Sequence, residues 1–436
     1  MKVVTPMKGC KECCAYLPER GALPLSSCGE LGGAAVHCAY PSERGALPLS
    51  SCGELGGAAV HCAYPSERGA LAPSPAAWRE DSEKGPLAKS LAAWTEEKIR
   101  SAWYWPLETV VREARECTDR LWGRKVFLRG LIEVTNYCVQ NCLYCGIRRD
   151  NGKVERYRLS EEQILSIVQE GFRKGFRTFV LQGGEDPEYS PSRLARLCER
   201  IRGVVGEEPA ITLSFGILPP KGYRDLASSG ANRYLLRFET SDPALHTYLR
   251  NGIPLSRRLK ALEDIRNAGL EVGSGFMVGL PGETEETRIR NILLAQELQL
   301  DMGGIGPFIP HPDTPLAGSP QIPLELSVRS TALLRLALPG CNIPATTAAG
   351  SLHPEGRERM MAAGANVLMP NLTPPRYKRA YQLYPGKICV DEPAFACTSC
   401  LAVRVAGIGL ELSWERGDSL RVKRLRNPRG GITYAE

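Results

Sequence analysis

The 436-residue chain has no uninterrupted apolar run near the ~18 residues a membrane-spanning helix needs. Its start, Met1 to Leu25, also lacks the apolar stretch of a signal peptide. The first absence argues against a membrane partner, and together they make the cytoplasm the expected location. A strong charge of one sign is missing too, because 55 basic residues face 48 acidic ones for a formal charge of +7. Part of that excess is the tail Arg421-Val422-Lys423-Arg424-Leu425-Arg426, which reads as a solvated segment. No appended domain interleaves basic and aromatic residues as RNA-binding modules do, so no nucleic-acid partner is expected.

What is present is a globular composition, with 43% hydrophobic and 24% charged residues, enough to bury a large core in one barrel-sized domain plus extensions. Sixteen cysteines without an export signal favour metal ligation or redox chemistry over a disulfide framework. Seven of them (Cys10, Cys13, Cys14, Cys28, Cys38, Cys52, Cys62) lie in a segment where Glu19 to Ser42 recurs unchanged from Glu43 to Ser66. Identical repeats rich in Gly, Ala, Pro and Ser lack the degenerate apolar ladder of a solenoid, so residues 1–75 are expected to be disordered.

A helical lead-in is expected over 76–124, with Trp78, Trp94, Trp103 and Trp105 as anchors and Pro106-Leu107-Glu108 opening a helix. From Lys125 onward, short apolar runs alternate with amphipathic stretches about eight times, the pattern of βα units around a parallel sheet. Strands are expected to begin near Val126, Thr178, Ile211, Tyr234, Val272, Met302, Ile343 and Val367. Ser160 and Gln163 form a capping box ahead of Ile164, Leu165, Val168 and Phe172, which recur on one helix face. The fold expected is α/β, a (β/α)8 TIM-type barrel over 125–385 with a C-terminal extension over 386–436, and its active site lies at the C-terminal strand ends.

After the first strand comes Thr135-Asn136-Tyr137-Cys138-Val139-Gln140-Asn141-Cys142-Leu143-Tyr144-Cys145, a Cys-x3-Cys-x2-Cys run in a loop. Three thiolates can hold three irons of a cubane and leave the fourth open to a chelating ligand. A zinc site, which usually takes four ligands, and buried structural thiols are the competing readings. The spacing, with an aromatic Tyr144 before the last cysteine, resembles the signature of radical S-adenosylmethionine (SAM) enzymes. In them, SAM chelates the open iron and an electron from the 4Fe-4S cluster yields a 5'-deoxyadenosyl radical.

Further segments, Cys142 to Asn151, Gly184-Glu185-Asp186-Pro187, Gly304 to Leu316, Ile343 to Thr347 and Tyr381 to Cys389, resemble the HydE family of FeFe-hydrogenase maturases. The likeness runs from about Leu107 to Leu401. It implies a maturase whose adenosyl radical attacks the sulfur of an organometallic Fe(CO)2(CN)(cysteine) precursor. It also implies partner maturases and an electron donor such as ferredoxin or flavodoxin. By the same resemblance SAM is held by Gly183 and Gly184, by Glu239 near its amino group and by Arg258 near its carboxylate, with Ser214, Met302, Met369 and Tyr381 around it. Arg233, Thr346 and Thr347 match the family's anion-binding positions and, with Tyr144, complete the expected catalytic set. Taken alone, Thr346 and Thr347 read as ordinary strand residues. Cys389-x7-Cys397-x2-Cys400 matches an auxiliary site of some members, able to hold a second cluster (2Fe-2S or 4Fe-4S) or zinc.

His311 and Asp313, flanked by prolines, read as part of a shaped loop, and Cys117, Cys198 and Cys341 as small buried hydrophobes. Phe238 stands where the family carries His, and Ile217 where it carries an acid, so both are expected to strip polar groups from the barrel mouth. Two other functions compete: a methylornithine-synthase-like mutase, and a catalytically silent iron-sulfur carrier, which would need no SAM contacts.

Overall fold

The computed structural model describes residues 93–393 and 395–426, all within one compact unit. The repeated segment of the first 75 residues, with its seven cysteines, and Trp78 lie outside the described residues. Nine strands are present among the described residues: β1 Lys125–Leu128, β2 Gly130–Thr135, β3 Thr178–Gly183, β4 Ala210–Ser214, β5 Arg233–Leu235, β6 Glu271–Val278, β7 Met302–Pro307, β8 Val367–Leu368 and β9 Glu411–Ser413. All pairings are parallel, in the orders β2-β3-β4-β5-β6-β7 and β8-β1-β9. Residues 342–344 bridge β7 to β8 through Met302↔Asn342 and Pro344↔Val367, and Leu131↔Asn371 carries the β8 segment onto β2. The ring is thereby closed as a (β/α)8 barrel. Seven of the eight expected strand starts fall within one residue of the observed ones, three of them, Thr178, Met302 and Val367, at the same residue. No strand forms at Ile343: its neighbours Asn342 and Pro344 each make one isolated bridge, and proline cannot donate to a ladder.

Parallel strands are covered on both faces, which is why runs such as Thr178-Phe179-Val180-Leu181 are buried without alternation. The helix Glu161–Arg173 starts at the expected capping box, where Ser160 Oγ accepts from Gln163 N and Gln163 Oε1 from Ser160 N. The lead-in helices Glu96–Ala102 and Leu107–Trp122 are held by the expected tryptophans. Trp94 and Trp105 meet edge to face at 5.6 Å, and Arg329 Nη1 donates to the carbonyls of Trp103 (2.8 Å) and Trp105 (2.7 Å). No helix among the described residues is long and apolar enough to cross a membrane.

The C-terminal extension differs from expectation. Strand β9 pairs with β1, and the loop after it closes the base of the barrel, where Gly417 O accepts from Arg129 Nη2 (3.1 Å) and Asn342 Nδ2 (3.0 Å). The basic tail is not a solvated segment at its start: Arg421 forms a fork on buried Asp301 (2.8 and 2.6 Å), and Lys423 lies over the Trp122 ring. Alternation alone could not reveal β9, which has three residues and one exposed end.

Candidate active site

The Cys-x3-Cys-x2-Cys loop leaves β2 at Asn136, whose fully buried amide turns the chain. Its Nδ2 donates to Glu155 O (2.8 Å) and Ala380 O (2.7 Å), and its Oδ1 accepts from Tyr157 N (2.8 Å). Arg156 staples the far side by donating to the carbonyls of Asn136, Ile147 and Arg148. Backbone bonds anchor the loop elsewhere: Val139 N to Glu185 O (3.0 Å), Leu143 N to Leu249 O (2.9 Å) and Gly146 N to Leu383 O (3.0 Å). A Cβ on Gly146 would stand 2.1 Å from Gln382 O and 2.5 Å from the His311 ring, so only glycine allows this approach. His311 Nδ1 in turn accepts from Asp313 N (3.1 Å), consistent with a shaped loop. A loop without regular structure is thus fixed at several points.

Cys138, Cys142 and Cys145 are free thiols that line one cavity of about 370 Å3 at the C-terminal strand ends. Burial pushes all three thiols up, which disfavours bare thiolates unless positive charge is supplied. Around the same cavity lie Gly183, Gly184, Ser214, Glu239, Arg258, Met369, Tyr381, Tyr144, Thr346 and Thr347. At the end of β3 the backbone must pass close to the cluster loop. A Cβ on Gly184 would sit 2.1 Å from Tyr137 O, and one on Gly183 2.7 Å from Thr135 and 2.8 Å from Phe215. Asp186 secures that turn, taking Arg158 in a fork (2.7 and 2.8 Å) and Thr135 Oγ1 (2.8 Å).

Glu239 adopts φ +68°, a left-handed conformation that costs a non-glycine residue about 1–3 kcal/mol. Bonds from its N to Gly275 O and from Met277 N to its O, both 3.0 Å, hold it there. Its Oε2 lies 3.0 Å from Arg237 Nη2, yet neither atom is aligned for a hydrogen bond. Arg258 is 4% exposed, has Nη2 at 3.5 Å from Glu185 Oε1, and leaves Nε without a partner. A carboxylate and a guanidinium with unused capacity on one wall match the ammonium and carboxylate of a zwitterion.

A model of the Radical SAM superfamily matches residues 132–295. The chain is 44% identical over 317 residues to the [FeFe] hydrogenase maturase subunit HydE of Thermotoga maritima, covering 72% of this chain and 90% of that one. It belongs to the HydE family of radical SAM enzymes. The 3-methylornithine synthase of Methanosarcina acetivorans is 30% identical over 267 residues, covering 60% of this chain and 74% of that one. Among solved structures, methylornithine synthase (PylB) superposes with a TM-score of 0.65 at 26% identity, covering 74% of this chain and 96% of that one. A 4Fe-4S cluster and SAM follow from the family. The three loop thiols and the glycine cradle fit them.

Set against this HydE family frame, two expected site residues are elsewhere. Arg233 opens β5 at the opposite end of the barrel, fully buried against Glu271 (3.1 Å) and Asp418 (2.5 Å). Met302 is likewise at the start of β7, where its sulfur accepts from Arg129 (3.1 Å). Arg237, four residues past Arg233, is the arginine of this segment that reaches the cavity. Thr346 and Thr347 are not in a strand: Thr346 Oγ1 caps the helix Thr347–Leu352 by accepting from Ala349 N (3.4 Å). Phe238 is fully buried against Phe276 and Ile217 packs on the core, so neither side chain lines the cavity at the mouth.

Three features went unassigned in the sequence. Glu185 gathers Gln140 (2.7 Å), Arg250 (3.1 Å) and Arg258 (3.5 Å) on its carboxylate. Arg250 also reaches Cys142. A third group is deeper, where buried Glu133 takes Lys387 and Asn371 (2.8 Å). Glu185 had a signal, its place in the Gly184-Glu185-Asp186-Pro187 segment, whereas Arg250 had none.

The second cysteine set is only partly assembled. Donor atoms of Cys389, Glu392 and Cys397 lie within 4.8 Å of one another, with Cys397 Sγ 3.4 Å from Glu392 Oε2. Cys400, half-buried one helical turn on, falls outside that group. Cys117, Cys198 and Cys341 are buried, as expected.

Proposed function

We propose that Cys138, Cys142 and Cys145 ligate the 4Fe-4S cluster and that SAM binds beside it on the backbone of Gly183 and Gly184, with Ser214, Met369 and Tyr381 completing the cradle. Glu239 accepts from the amino group and Arg258 donates to the carboxylate. When bound, the cluster and SAM together supply a 5'-deoxyadenosyl radical. The substrate is an organometallic Fe(CO)2(CN)(cysteine) precursor whose sulfur meets that radical, delivered by a partner maturase, with ferredoxin or flavodoxin as electron donor. Tyr144 lines the cavity beside the cluster cysteines in sequence, and Thr346 and Thr347 add hydroxyls to its lining. The deep pair Glu133 and Lys387 lines the same cavity as a buried ion pair.

The observation that carries this proposal is the convergence of three loop thiols, the Gly183-Gly184 cradle, Glu239 and Arg258 on one cavity in a chain 44% identical to a HydE protein. The second cysteine set is proposed as an auxiliary metal site, with Glu392 a nearer companion to Cys389 and Cys397 than Cys400. We also propose that residues 1–75 form a separate segment and that the barrel spans 125–385. The test is anaerobic turnover with synthetic iron precursor, with lysine as the alternative substrate. Methionine released from SAM in step with precursor consumption, with the adenosyl group carried on the product's sulfur, supports the maturase; 3-methylornithine from lysine supports the mutase; no SAM cleavage and no product with either supports the silent carrier.

A further inference from the structure

We propose that Arg250 is a positioning residue that raises the reduction potential of the cluster by donating a charge-assisted hydrogen bond to the sulfur of Cys142. The inference rests on the cluster assignment above. Arg250 follows the helix Pro243–Leu249, whose N-terminus is capped by Asp242 Oδ1 accepting from Ala244 N and Leu245 N, both at 2.9 Å. The other end of this helix is tied to the cysteine loop itself by the Leu143 N to Leu249 O bond. Helix and loop therefore move as one, and the arginine beside that tie has a fixed approach to the loop.

The side chain is 6% exposed and clamped at both tips. Nη1 donates to Cys142 Sγ at 2.9 Å, with Tyr144 Oη at 3.5 Å, and Nη2 donates to Glu185 Oε1 at 3.1 Å. Glu185 cannot drift, because its other oxygen holds Gln140 at 2.7 Å and its stem lies over Gly216, where a Cβ would come within 2.0 Å. Cys138 and Cys145 are served differently. Backbone amides of Gln140 and Glu185 face Cys138, and that of Ile147 faces Cys145, with no guanidinium in hydrogen-bond reach of either among the described residues. One of three ligand sulfurs thus carries a full positive charge at contact. Reduction adds an electron to the cluster, so a donor to its thiolate stabilises the reduced state and makes the potential less negative. Through their common acceptor Glu185, Arg250 and the proposed SAM-carboxylate ligand Arg258 share one anchor, which aligns the cluster and the cofactor site.

The test is an EPR-monitored redox titration of the reconstituted full-length chain without SAM, with dithionite as the one-electron reductant. In Arg250→Gln the ratio of reduced to oxidised cluster at a fixed ambient potential is expected to fall about tenfold, equal to ~59 mV for a one-electron couple. Arg258→Gln, which removes no hydrogen bond to Cys142, is expected to shift the potential by less than Arg250→Gln while losing SAM affinity. An equal or larger shift overturns the assignment of the effect to the Arg250 contact. A wild-type potential in Arg250→Gln overturns the inference alone. A wild-type chain that takes up no cluster overturns the cluster assignment, and this inference with it. Should Arg250→Gln fail to load iron, wild-type protein labelled with 15N-arginine carries the test. A 15N hyperfine coupling to the reduced cluster is expected, and its absence overturns the proposal.

Discussion

The two ends of the barrel bury similar charged groups for different ends. At the base, Arg233 closes on Glu271 and Asp418, Arg421 forks onto Asp301, and the β9 loop covers both. At the mouth, Arg258 is nearly as buried and Glu239 and Arg237 are half-buried; all three line a cavity of about 370 Å3 and keep atoms without hydrogen-bond partners. Burying a charge is costly unless it is paired. Both ends keep some atoms without an aligned hydrogen-bond partner, Arg233 Nε and the Glu271 carboxylate at the base among them. What separates the ends is that the groups at the mouth line a cavity with room for a zwitterionic ligand, whereas those at the base face only protein. Arg233 and Arg237 lie four residues apart on the same segment and fall on opposite sides of that division.

Substitutions at each end should separate the two roles. The largest effect is expected for Cys142→Ala, which removes one of three cluster ligands: iron content and the EPR signal should be lost after reconstitution, while the urea midpoint stays near wild type. Next is Arg233→Met, which strands Glu271 in the base and leaves Asp418 with Arg416 alone of its two arginines. It should destabilise the fold by about 3–5 kcal/mol in urea denaturation, with SAM affinity of the folded fraction unchanged. An Arg233→Met protein that keeps its stability and loses SAM or substrate binding would contradict the division. At the mouth, Glu239→Gln should weaken SAM binding by roughly 10- to 100-fold in equilibrium titration, the scale of a charged hydrogen bond, with little loss of stability.

The smallest expected effect is on pH. Burial, then Arg250 and Arg258, drive His246 down to about 4 in the folded state, against the bond from its ring to Ile253 O and the pull of Glu239. The unfolded chain takes up a proton near 6.5, whereas the folded chain does not until about 4. Stability from this group is therefore present above 6.5 and lost as pH falls between those values. The unfolding free energy of wild type from urea denaturation should drop on going from pH 7 to 5 by on the order of 1 kcal/mol more than that of His246→Asn. Equal drops would exclude His246 as the source.

Much of this was legible in the sequence, and the limits have physical causes. Strand starts followed from apolar runs because both faces of a parallel barrel are buried. The cysteine triplet and Gly183-Gly184 could be read because their spacing is local. Arg233 was placed at the site by the family resemblance alone; it lies four residues before Arg237 on the same segment, and no local pattern tells which end of the barrel each long side chain reaches. Thr346 resembled a strand residue because β-branching is favoured there, while its hydroxyl in fact caps a helix. Arg250 gave no signal since its partners, Cys142 and Glu185, are 108 and 65 residues away. Contacts of that range are fixed by the closed barrel rather than by any local pattern.

The most direct test of the central claim is EPR of the anaerobically reconstituted, reduced chain with and without SAM, alongside Cys142→Ala. A 4Fe-4S signal that SAM perturbs in the wild type, and that is absent from the variant, is the expected result. A cluster signal indifferent to SAM, or one that survives Cys142→Ala unchanged, would contradict the assignment of this cavity to a radical SAM centre.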